Sequence, residues 1–74
     1  MLRLVQIEPG AEPVYSTVTL TLDQRVRSRL KIELDNSEAA GLFLERGKVL
    51  RHGDRLRAES GQVVEVIAAE ETVS

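Results

Sequence analysis

The chain has 74 residues, no cysteine, one histidine and two aromatic residues, Tyr15 and Phe43, with a formal net charge of −2. That length lies at the small end of domains that fold alone. The missing thiols exclude a disulfide framework and thiolate metal sites, and two aromatics make no stacking platform for bases or sugars. A single imidazole cannot supply a histidine-based triad or a multi-histidine metal centre.

Leu2, Leu4, Val5 and Ile7 open a first strand with Arg3 and Gln6 interleaved. The run is too short, and too soon followed by Glu8 and Pro9, for a signal peptide or a membrane span, so the cytoplasm is the expected compartment. Pro9 and Pro13 then break the strand by removing backbone donors. From Ser16 to Leu22 the alternation is clean, with Val18, Leu20 and Leu22 expected inward and Thr17, Thr19 and Thr21 outward. Asp23 to Ser28 lacks a period of two and reads as a turn or one helical turn.

Alternation resumes with Leu30, Ile32 and Leu34 inward, and Asp35-Asn36-Ser37 supplies turn chemistry. Ala39 to Leu44 is a mostly apolar strand whose Gly41 marks a bulge or a close approach. Phe43 there either completes a second layer or lies exposed in a binding groove. Val49 and Leu50 continue the strand pattern, His52-Gly53-Asp54 makes a tight turn, and Leu56–Glu59 and Val63–Ala68 form a hairpin around Ser60-Gly61. The pattern predicts an all-β domain, a small two-sheet sandwich or barrel-like fold of about six to seven short strands with at most one helical turn.

His52 reads as a surface turn residue, and nothing places two of Asp23, Glu33, Asp35, Glu38 and Glu45 in one apolar cleft for acid–base work. Single, scattered glycines make no phosphate loop. No catalytic, cofactor-binding or metal-ligating residue is therefore assigned, and the domain is expected not to be an enzyme. Nine of the ten basic residues lie between Arg25 and Arg57, whereas four glutamates and no cation follow from Glu59 onward. Arg25, Arg27, Arg29 and Lys31 share one parity, so an extended backbone would put all four on one side. Such a row is a solvated strand face or, with guanidinium forks gripping carboxylates, a protein-docking face that could include Phe43. A small nucleic-acid-binding barrel is the alternative, held back by the acidic balance.

Several stretches together resemble one family. They are Thr19-Leu20-Thr21-Leu22, Arg25-Val26-Arg27-Ser28-Arg29, Leu34-Asp35, Ala40-Gly41-Leu42-Phe43-Leu44-Glu45-Arg46-Gly47, Val49-Leu50-Arg51, Gly53-Asp54-Arg55-Leu56 and Val66-Ile67-Ala68-Ala69-Glu70. In this order and spacing, over residues 1–71, they resemble the N-terminal domain of the UreE family of urease accessory nickel chaperones. The resemblance implies a two-sheet domain of the peptide-binding kind, similar in shape to a domain of DnaJ-type chaperones. It implies partners among the urease apoprotein and the other accessory proteins, including a GTPase, with neither nucleic acid nor membrane involved. It places nickel binding and dimer contacts in a second domain, so that residues 1–74 are expected to be an excised N-terminal domain, in preference to a naturally shortened relative, monomeric and holding no cofactor.

Overall fold

In the computed structural model, residues 1–69 are described. The alternating segments form six strands, β1 (Leu2–Ile7), β2 (Ser16–Leu20), β3 (Arg29–Glu33), β4 (Ala39–Phe43), β5 (Arg55–Ala58) and β6 (Val63–Ala68), with one helical turn, α1 (Leu22–Arg25). They hydrogen-bond as one sheet in the order β2-β6-β5-β1-β4-β3. The domain is all-β as expected, and of the sandwich and barrel readings the barrel is the one formed. The edges β2 and β3 approach each other at Asp35, whose N–H donates to the Thr17 carbonyl (2.9 Å). The sheet therefore curls into a nearly closed barrel. Among the described residues no helix is long and apolar enough to cross a membrane.

Inward side chains make one core of Leu4, Val18, Leu20, Ile32, Leu34, Ala40, Leu42, Leu44, Leu50, Leu56, Ala58, Val64 and Val66. Leu22 departs from the expected inward stripe. Thr21 ends the strand by capping α1, and Leu22 stands 51% exposed. The expected strand pairing of Val49 and Leu50 also differs, because Gly47 and Gly53 adopt φ of +86° and +89° on either side and turn the chain. Leu50 instead drops into the core, its N–H held by the Arg25 carbonyl at 3.0 Å. The hairpin of β5 and β6 forms around Gly61, whose φ of +95° is the left-handed conformation that a turn there demands.

One irregularity shapes the outer surface. Between β1 and β5 the register passes from Leu4↔Ala58 to Gln6↔Arg57, so β1 carries an extra residue at Val5. A bulge of this kind turns two successive side chains to the same side. Leu4 is buried, while Val5 and Gln6 are both exposed. The break in alternation at Leu4-Val5 is the sequence trace of that bulge.

Candidate functional site

The pleat decides which side chains β1, β4 and β3 present to solvent. Leu4, Leu42 and Ile32 point into the core, so the residues between them point out. Register then sets their rows: Arg3 and Lys31 flank Gly41, and Arg29 lies opposite Phe43. At Gly41 an added Cβ would stand 2.8 Å from Phe43 Cε2 and 3.5 Å from Met1 Cε, which shows that the Phe43 ring folds back over the glycine. The close approach that Gly41 signalled is thus made by an aromatic ring.

Phe43 remains 41% exposed and forms a ridge at the centre of this face. The Arg3 guanidinium carbon lies 5.9 Å from its centroid, within cation–π range. On one side of the ring an open groove of about 860 Å³ runs between Val26, Arg27 and Arg29 and the segment containing Arg46. On the other, a smaller recess of about 250 Å³ is bounded by Met1 and Lys31. Val5 and Val26 add exposed apolar surface to the same groove.

Charge pairing engages three of the cations, Arg27, Arg55 and Arg57, among the described residues. Arg55 contacts Glu65 at 3.5 Å and Glu12 at 3.8 Å and donates to the Ala11 carbonyl at 2.7 Å, while Arg57 pairs with Glu8 at 3.5 Å. Arg27 pairs with Asp23 at 3.2 Å across one helical turn. Among the described residues, Arg3, Arg29, Lys31 and Arg46 have no carboxylate within ion-pair distance. An apolar ridge ringed by unpaired cations can grip an acidic segment that also carries an apolar side chain.

Of the residues expected to act together, Arg29, Lys31 and Phe43 meet on this face and Arg27 lines the groove wall. Arg25 does not join them. The backbone is helical at Arg25 and turns between Val26 and Ser28, so strand parity begins only at Arg29. Arg25 is partly buried, with a buried Nε that has no partner among the described residues. Sequence reasoning missed Arg3, Val5, Val26 and Arg46 as members of the face. Only Val5 left a local signal, the broken alternation; the others are placed by pairing between distant strands and by the course of a loop.

His52 is exposed, and its Nδ1 accepts the Ala68 N–H at 3.1 Å, while Asp54 Oδ2 accepts the Arg51 N–H at 2.9 Å. Asp54 thus closes the turn, and His52 ties it to the end of β6. Among the described residues, no three of histidine, cysteine, aspartate and glutamate gather in a way that could hold a metal ion.

Fold and face together define a small all-β, barrel-like domain that presents an unpaired cationic surface around one aromatic ring. Residues 3–69 match the N-terminal domain family of the UreE urease accessory proteins, and the chain belongs to that family. It is 49% identical to the urease accessory protein UreE of Tolumonas auensis over 73 residues, which is 97% of this chain and 39% of that protein. It is 49% identical to UreE of an Enterobacter species over 75 residues, covering all of this chain and 49% of the relative. UreE of Pseudomonas putida is 52% identical over 68 residues, 90% of this chain and 41% of its own length. The chain thus spans less than half the length of each of these relatives.

Proposed function

We propose that this domain is the protein-docking part of a urease accessory metallochaperone, holding the urease assembly machinery while nickel is delivered as cargo. The observation that carries the reading is the cluster of Arg3, Arg29 and Lys31 around exposed Phe43, cations left without acidic partners of their own. Family membership supports the setting, since the relatives are named as urease accessory proteins. In this reading the domain does no chemistry itself. Nickel ligands belong to another part of the complete protein, because His52, the one imidazole, has its Nδ1 committed to a backbone N–H. The partners are the urease apoprotein and its other accessory proteins, a GTPase among them.

The test is urease activation by the complete accessory protein carrying Arg29→Gln, Lys31→Gln and Phe43→Ala together. All three side chains are exposed, so the domain stays folded. Activation falls at limiting nickel while nickel affinity is unchanged. Full activation by the folded triple variant contradicts the reading. Binding of the domain to single-stranded nucleic acid with a steep loss on adding salt would move the face to the polyanion alternative.

A further inference from the structure

The hydrogen-bond ladder between β3 and β4 leaves one edge of the barrel open. Leu44 N–H donates to the Ser28 carbonyl (2.8 Å) and Leu34 N–H to the Glu38 carbonyl (2.8 Å), which fixes the alternation of the antiparallel pair. With the register Leu30↔Leu42 and Ile32↔Ala40, it is Leu30 and Ile32 that exchange bonds with β4. The N–H and C=O groups of Arg29, Lys31 and Glu33 therefore point away from β4, toward the free side of β3. β3 is the last strand of the sheet, and among the described residues these groups have no partner. The seam to β2 closes only beyond them, at Asp35.

A strand edge of this kind is a template for another strand. We propose that it takes an extended acidic segment of a partner protein as an added strand, a mode of binding that rests on the docking reading above. Charge selects the occupant. Arg29 and Lys31 stand outward on the edge strand itself, Arg3 lies two strands in, and Glu33 is the one outward acid on β3. The side chains of an added strand alternate as those of β3 do. Its outward residues lie beside Arg29 and Lys31 and are acidic; its inward residues lie beside Leu30 and Ile32 at the rim of the core and are apolar. A second copy of this chain pairing antiparallel about Lys31 would set Lys31 opposite Lys31 but Arg29 opposite Glu33, so self-pairing is the competing occupant that the experiment must separate. Nucleic acid offers no ladder of alternating donors and acceptors to this edge.

The experiment uses the isotope-labelled chain and a short synthetic peptide alternating glutamate and valine, with a lysine–valine peptide as control. Amide hydrogen exchange at Arg29, Lys31 and Glu33 slows by about tenfold or more on adding the acidic peptide, while Leu30 and Ile32, already bonded, change little. Lys31→Pro removes one edge N–H and no bond to β4, a substitution that edge strands tolerate. It weakens peptide binding by about tenfold beyond the loss in Lys31→Gln, which removes the charge and keeps the donor. If Lys31→Pro perturbs the fold, the exchange pattern of the parent chain decides alone. Peptide binding that shifts Phe43 and leaves the edge amides unprotected overturns the added strand and spares the docking reading. Absence of acidic-peptide binding, equal binding of the lysine peptide, or edge protection through self-association without peptide each overturns the proposal. The docking reading then stands or falls on urease activation by the triple variant.

Discussion

Thr21 sits between two leucines with opposite surroundings, because it caps a helix. Its Oγ1 accepts the Gln24 N–H at 3.3 Å, and its own N–H donates to Gln24 Oε1 at 2.9 Å. This reciprocal pair satisfies two donors that the helix end would otherwise leave open, and it turns the chain out of β2. Leu20 lies before the cap and is 1% exposed, and Leu22 lies after it at the surface. Removing the Leu20 side chain leaves a cavity in the core, so Leu20→Ala is expected to cost about 2–5 kcal/mol of folding free energy. Leu22→Ala is expected to cost less than about 1 kcal/mol. Denaturant unfolding of both variants checks this, and equal losses would show that Leu22 shares the inward face after all.

The seam between the edges of β2 and β3 is an element-scale device, built from side chains where strand pairing stops. Thr17 Oγ1 donates to Asp35 Oδ2 at 2.7 Å, Thr19 Oγ1 reaches the same carboxylate at 3.3 Å, and the Tyr15 hydroxyl donates to Glu38 Oε1 at 2.8 Å. The hydrogen bond to Glu38, reinforced by the negative charge of that carboxylate, raises the Tyr15 pKa above its ordinary 10.0. The folded chain therefore holds this proton more tightly than the unfolded one. The stability so contributed is complete below the unfolded value and is lost as pH rises through the raised folded value. Tyr15 is the sole tyrosine and there is no tryptophan, so tyrosinate absorbance reports this group alone. Glu38→Gln should bring the titration midpoint down toward the ordinary value; the same midpoint in parent and variant would contradict the clasp.

At this scale the sequence was legible wherever a local pattern determines the element. Strict alternation over residues 16–20 and the Ser60-Gly61 turn between β5 and β6 were readable, as was the helical turn before β3. The parallel pairings β1 with β4 and β2 with β6 were not, since nothing local records which distant strand lies alongside. For the same reason the sequence could place Arg29 and Lys31 outward, left Phe43 open between a second layer and an exposed groove, and could not bring Arg3 beside them. It also carried the shared parity of the basic run back to Arg25, where the backbone is no longer extended.

For the whole molecule, curling one sheet into a barrel gathers three unpaired cations from two strands around one aromatic ring. Arg55 and Arg57 are bound to acids that tie the β1–β2 connection to β5, while Arg3, Arg29 and Lys31 remain unpaired around Phe43. A chain with a net charge of −2 thus keeps a local positive face. Such a face chiefly speeds encounter with an acidic partner and makes that encounter sensitive to salt. The most direct measurement compares association rates with the urease apoprotein–accessory complex for two variants of equal net charge. One carries Arg29→Gln and Lys31→Gln, and the other carries Arg51→Gln and Arg57→Gln. Docking through the Phe43 face predicts that the first associates about tenfold more slowly and loses most of its salt dependence, while the second behaves like the parent. Equal rates for the two variants, or a slower second variant, would contradict the assignment of docking to this face.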